Sequence, residues 1–211
     1  MINFKNLLLG IAIGDAFGAG IEFQDRNWIS ENVDFTKFVN ARCSIKVPEQ
    51  QLNDFVKNYR PWDYTDDTEM TIGVINSLLS KRKFSADLLI DYWKQEFLAD
   101  KKAKGFGRNG HGSMRWFYEG TKSIEEIRFF QKNRVYPGNA PTMRAIPFGL
   151  IPEKWINQYA IINADATHPH DKARASSILI ARVTHYLLIK RGSQNTLITY
   201  CQPFVLSLIH I

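Results

Sequence analysis

The stretch from Arg60 to Leu79 reads RPWDYTDDTEMTIGVINSLL and changes character at its middle. Asp63, Asp66, Asp67 and Glu69 crowd its first half, whereas Met70, Val74 and Leu78 form one row beyond it, with Thr71, Ile75 and Leu79 beside them. Residues four apart share one face of a helix, so the second half predicts a helix beginning near Asp67. Capping accounts for part of the acidity. Asp66 suits a helix N-terminus, Glu69 three residues on completes a capping-box pattern, and acids in a first turn complement the helix dipole. YTDDTEM nevertheless offers more than a cap requires. Thr65, Asp66, Asp67 and Thr68 present two carboxylates and two hydroxyls where a loop becomes rigid, a ligand set suited to hard divalent cations such as Mg²⁺. Zn²⁺ suits it less well, because no imidazole or thiol is adjacent.

Helical spacing recurs along the chain and predicts an all-α domain. One helix is expected from about Phe4 to Gly18, with Gly10, Gly14 and Gly18 on one face where another backbone could pack closely. Others are expected from about Ser85 through Phe97, from Pro152 to Ala164, and from about His170 to Arg191. The segment from Asn27 to Asp63, the glycine-rich KGFGRNGHGSMR (Lys104 to Arg115) and YPGNAPTMRAIPFGL (Tyr136 to Leu150) read as irregular. Such loops often let a ligand approach the backbone.

The 211 residues and 45% hydrophobic content suffice for one substantial core. The net charge of +6 is uneven, because Lys172, Arg174, Arg182, Lys190 and Arg191 stand in a tail without acids, and the remainder is nearly neutral. No basic stripe with interleaved aromatics marks a nucleic-acid surface. Cys43 and Cys201 lie far apart and outside metal-ligand spacing, which suggests free thiols and a cytoplasmic setting. The apolar run from Leu7 to Ile13 is short for a signal sequence and is followed by Asp15, and no segment reaches the ~18 apolar residues of a membrane span.

Two further motifs carry polar chemistry. In GIAIGDAFGAGIEF, Asp15 and Glu22 stand seven apart, and a carboxylate after Gly18 and Gly20 is placed to leave the helix, reach a cleft and act as a general base. Both could equally be surface acids. In THPHDKA, two histidines at i, i+2 are insufficient for zinc, but a histidine where a helix begins can help hold a phosphate. A structural turn fits those residues as well.

Together GIAIGDAFGAGIEF, YTDDTEM, KGFGR, GNAPTMRAIPFGL and THPHDKA resemble the ADP-ribosylglycohydrolase family, in the family's order and over about residues 4–188. The resemblance implies an all-α fold with a binuclear Mg²⁺ or Mn²⁺ site, and hydrolysis of the N- or O-glycosidic bond between ADP-ribose and a modified protein side chain. Thr65, Asp66 and Asp67 match metal ligands, and Glu22 matches the acidic residue near the scissile bond. Phe106 fills a position resembling an adenine-stacking one, Gly105 and Gly107 suit approach of a pyrophosphate, and His168 matches a residue near the phosphates or distal ribose. The implied partner is an ADP-ribosylated protein or an ADP-ribose-containing small molecule.

Two departures stand out. Ala140 and Pro141 follow Asn139 where the family has glycine, and no Asp or Glu occurs after Asp171, so the family's second metal motif, Asp-x-Asp-Thr, is absent. The ending CQPFVLSLIHI stops as an apolar segment begins after Pro203. The expectation is a C-terminally truncated or frame-altered member. A non-catalytic ADP-ribose-binding or structural relative is the alternative to an active enzyme.

Overall fold

The computed structural model describes residues 4–22, 24–39, 60–100 and 111–209. The described residues form helices and turns without a strand, the expected all-α architecture. The N-terminal helix α1 spans Phe4–Ala19, and α2 (Arg26–Asn32) follows within a segment that reads as irregular in sequence. Asp25 caps α2 by accepting a hydrogen bond from the Trp28 N–H.

The core begins with α3 (Asp66–Leu79) against α4 (Ala86–Asp100). The Met70–Val74 row of α3 is wholly buried and meets Leu89 and Trp93 of α4. Full burial of each such side chain contributes about 1.5–3 kcal/mol, so this face holds the two helices together. Trp93 sits so close that a Cβ on Gly73 would lie 2.7 Å from its ring; only glycine lets the helices approach this far. The helix expected near Ser85 forms as read, with the Ser85 hydroxyl accepting from the Leu88 N–H.

A short α5 (Arg115–Tyr118) leads to α6 (Ile124–Lys132), whose start is a complete capping box. Ser123 Oγ accepts from Glu126 N–H and the Glu126 carboxylate accepts from Ser123 N–H. The Ser-x-x-Glu signal is plain in SIEEI, yet the sequence reading passed over it. Next come α7 (Ala140–Met143) and a 3₁₀ turn at Ile146–Leu150.

The expected helix from Pro152 begins instead as a 3₁₀ turn (Glu153–Trp155) and becomes α8 at Ile156–Asp165. Its neighbour α9 runs Asp171–Thr184 and gives way to a π-helical turn at His185–Ile189. The expected uninterrupted helix to Arg191 is thus broken where His185 Nδ1 pairs with the Gly149 carbonyl and Arg191 turns left-handed.

The final helix α10 spans Leu197–Ile209 with Pro203 inside it, whereas the sequence reading placed a new segment only after that proline. An internal proline removes one helix hydrogen bond. Packing of α10 on α9 offsets that loss: Arg182 lies 3.8 Å over the Phe204 ring, Tyr200 stacks on Tyr186, and Cys201 is buried.

Candidate active-site cleft

Asp15, in the last turn of α1, organises the start of α3 from outside it. Its Oδ2 accepts from Thr65 N–H (2.9 Å), Thr68 N–H (3.0 Å) and the Thr68 hydroxyl (2.6 Å), while Oδ1 accepts from the Thr65 hydroxyl (2.6 Å). One carboxylate therefore satisfies two N–H groups at the N-terminus of α3 that the helix itself cannot bond. Thr65 serves as N-cap, its hydroxyl accepting from Asp67 N–H at 3.3 Å. The expected Asp66–Glu69 capping box does not form. Glu69 turns inward, nearly fully buried, to pair with His111 Nε2 at 3.0 Å.

Relieved of capping, Asp66 and Asp67 stand half-buried at the wall of a cleft. Burial, followed by the charge of Asp67, pushes Asp66 well above the usual carboxylate range, against opposing hydrogen bonds from Gly112 N–H, at 2.6 Å, and from its own backbone N–H. Burial and the charge of Asp15 raise Asp67 to about 6, and the Thr65 hydroxyl opposes that rise. The Gly112 donor is held by three consecutive left-handed residues, His111, Gly112 and Ser113, with φ of 51°, 60° and 74°. Such conformations cost on the order of 1–3 kcal/mol each in residues with side chains, and the buried His111–Glu69 pair helps to hold them.

A second region bordering the cleft is built around a wholly buried cation. Arg144 donates from Nε to Asn163 Oδ1 (2.7 Å), and from Nη2 to the Asn163 carbonyl (3.1 Å) and Thr167 Oγ1 (2.8 Å). Its guanidinium lies 3.8 Å from the centre of the Trp93 ring. Burial lowers its pKa to about 9, and the charges of Tyr118 and Asp66 are among the influences that raise it. Beside it, His168 is fully buried, with Nδ1 2.7 Å from Thr167 Oγ1. Burial, then the charges of Arg144 and Arg134, depress the imidazole to about 3, so it is neutral across the ordinary pH range.

Between these walls lies a cleft of about 1310 Å³. Glu22, Thr65, Asp66, Asp67 and His168, read from distant parts of the sequence, all line it. Gly105, Phe106 and Gly107 lie outside the described residues. Glu22 occupies a turn beyond the end of α1, as expected of a carboxylate leaving the helix. The cleft is also lined by Trp116, Phe130 and Arg134, which the sequence reading missed. The missed SIEEI capping box would have placed Phe130 on a helix. On the glycine face of α1, a Cβ at Gly10, Gly14 or Gly18 would meet nothing within 4 Å among the described residues, and all three glycines line the cleft.

The donor chemistry of Asp66 and Asp67 fits one flank of a site for a hard cation. Both carboxylates are raised by burial and by neighbouring negative charge, which a dication would neutralise. Asp15 is fully engaged by its four donors, and among the described residues no cluster of three or more His, Cys, Asp or Glu is arranged to hold a metal.

An all-helical chain whose adjacent carboxylates and buried neutral histidine line one cleft can be placed by comparison with known proteins. Residues 3–204 match the ADP-ribosylglycohydrolase family, and the chain belongs to that family. It is 24% identical over 192 residues to the ADP-ribosyl-dinitrogen reductase glycohydrolase of Rhodospirillum rubrum, covering 87% of this chain and 57% of that protein. It is also 24% identical over 212 residues to ADP-ribosylhydrolase ARH3 of Gallus gallus, covering 92% of this chain and 52% of that protein. The chain thus spans somewhat more than half the length of these relatives.

Proposed function

We infer that this chain forms the substrate-facing cleft of an ADP-ribosyl glycohydrolase, which hydrolyses the glycosidic bond between ADP-ribose and a modified protein side chain. The observation that carries this reading is the convergence of Glu22, Asp66 and Asp67 with His168, Arg134, Phe130 and Trp116 in one cleft. Acids on one side suit chemistry at a ribose, while a cationic and aromatic side suits a phosphate-bearing nucleotide. Membership of the family and the activity in the names of both relatives support the same substrate class.

Asp66 and Asp67, with Thr65, would hold Mg²⁺ or Mn²⁺ on the acidic wall. Bound there, the cation would supply charge stabilisation and orientation of ribose hydroxyls. Glu22, at the end of α1, would position a water and accept its proton as the bond to the side chain breaks. His168 would donate from its ring to an oxygen of the nucleotide. The test is turnover of an ADP-ribosylated protein with added Mg²⁺ or Mn²⁺. Glu22→Gln should lower turnover by ~10²–10⁴ and leave ADP-ribose affinity within a few-fold. Wild-type turnover in that variant would remove Glu22 from the chemistry.

A second reading, ADP-ribose binding without hydrolysis, has its own support. Among the described residues, no group of three or more His, Cys, Asp or Glu is arranged to hold a metal. Calorimetric binding of ADP-ribose with no metal-dependent turnover would favour it, and absence of both would sink the two readings together.

A further inference from the structure

The hydrogen-bond network behind His168 has a direction that can be followed from donor to donor. Ser177 Oγ donates to the Ala160 carbonyl and accepts from Asn163 Nδ2, which also donates to the Pro141 carbonyl. The remaining Asn163 oxygen then faces Arg144 Nε, as it must, because a guanidinium can only donate. The same restriction applies at Nη2, so Thr167 Oγ1 accepts from Arg144. Thr167 is fully buried, and the remaining side-chain partner of its hydroxyl is His168 Nδ1.

We propose that Thr167 is a positioning residue: by donating its hydroxyl hydrogen to Nδ1 it holds His168 in the tautomer protonated at Nε2, which presents an N–H to an acceptor oxygen of a ligand beside Gly138. The opposite tautomer would point Nδ1–H at Thr167 and leave the buried threonine O–H with no acceptor among the described side chains, an arrangement that buried polar groups avoid. The doubly protonated ring is opposed by burial and by Arg144, which already donates into the same hydroxyl.

The other end of the ring is prepared for a ligand. His168 Nε2 is buried and has no hydrogen-bond partner among the described residues, and His168 lines the cleft together with Gly138. A Cβ at residue 138 would lie 2.8 Å from Nε2, so glycine keeps open the place an acceptor atom would occupy. That the acceptor belongs to an ADP-ribose phosphate or ribose rests on the function proposed above. The tautomer itself does not.

Long-range ¹⁵N–¹H correlation spectra of the ¹⁵N-labelled full chain test the assignment, with the His168 signals identified by their loss in His168→Ala. The expected result is a pyrrole-type Nε2 and a pyridine-type Nδ1 in the wild-type protein, retained in Thr167→Ser and lost toward the other tautomer in Thr167→Val. Calorimetry with ADP-ribose should show affinity reduced about tenfold in Thr167→Val and restored in Thr167→Ser, the loss of one well-made hydrogen bond. A proton on Nδ1 in the wild-type spectrum overturns the proposal even where Thr167→Val fails to fold. So do wild-type tautomer and affinity in a folded Thr167→Val. The expected tautomer without ADP-ribose binding would leave the relay standing and overturn the ligand reading.

Discussion

The two walls of the cleft solve opposite electrostatic problems. On the His168 side, a buried guanidinium has been given three close oxygen acceptors and an aromatic face, and the groups behind it are bonded in an ordered series. On the Asp66–Asp67 side, the supporting carboxylate Asp15 is saturated, but the two carboxylates facing the cleft are held above their ordinary range by burial and by neighbouring carboxylates, Asp67 and Asp15 acting on Asp66 and Asp15 on Asp67. Among the described residues, the polar groups of the first wall are bonded to one another except at His168 Nε2. The second holds negative charge that a cation in the cleft would balance.

The largest effect should come from breaking the first wall. Arg144→Met would strand Asn163 Oδ1 and the Thr167 hydroxyl, and is expected to lower stability by about 3 kcal/mol in urea unfolding. Loss of less than about 1 kcal/mol would mean that the network tolerates an apolar replacement. Next, Asp15→Ala removes four hydrogen bonds from the start of α3 and should cost about 2 kcal/mol, measured in the same way.

The second wall should respond with the opposite sign. Asp67→Asn removes a strained charge, so without added metal at neutral pH it should stabilise the protein by about 1 kcal/mol, while reducing any rise in melting temperature caused by Mg²⁺ or Mn²⁺. The smallest effect is that of pH. With Asp67 near 6 when folded and about 3.9 when unfolded, the folded state holds the extra proton between those values. Its contribution is complete below about pH 4 and is lost as pH rises through about 6, by roughly 1 kcal/mol after solvent screening. Metal should restore that loss more at neutral pH than in acid, since the cation displaces the proton. A metal-free stability that rises from pH 4 to 6 and is insensitive to Asp67→Asn would contradict the contrast between the walls.

Much of the fold was legible because it depends on local spacing. The row Met70, Val74, Leu78 marked α3, and Ser85 marked the start of α4. Where tertiary contacts decide, the sequence misled. Pro203 looked like a boundary, but stacking of Tyr200 and the Arg182–Phe204 contact carry α10 through it. The acidic cluster suggested a cap made by Asp66 with Glu69, because nothing local shows that Asp15 caps from another helix or that Glu69 has a buried histidine to meet.

In the cleft, acidic and histidine motifs separated by a hundred residues were assigned to one site by resemblance, and their side chains line one cavity. Arg144 and Thr167 stayed hidden. Their part lies in a donor–acceptor order that exists only when α8, the residues after it and the start of the 3₁₀ turn near Ile146 are assembled.

The Asp15 bridge has a consequence for inheritance. It joins positions fifty residues apart through both the backbone and the hydroxyl of Thr68, and through both donors of Thr65. Because residues in one hydrogen-bond network couple energetically, replacing either threonine alone would leave the carboxylate underbonded, and replacing the carboxylate alone would leave the threonines without their acceptor. Among descendants of a common ancestor, GDAFG and TDDT should therefore change together or stay together, despite the long chain between them.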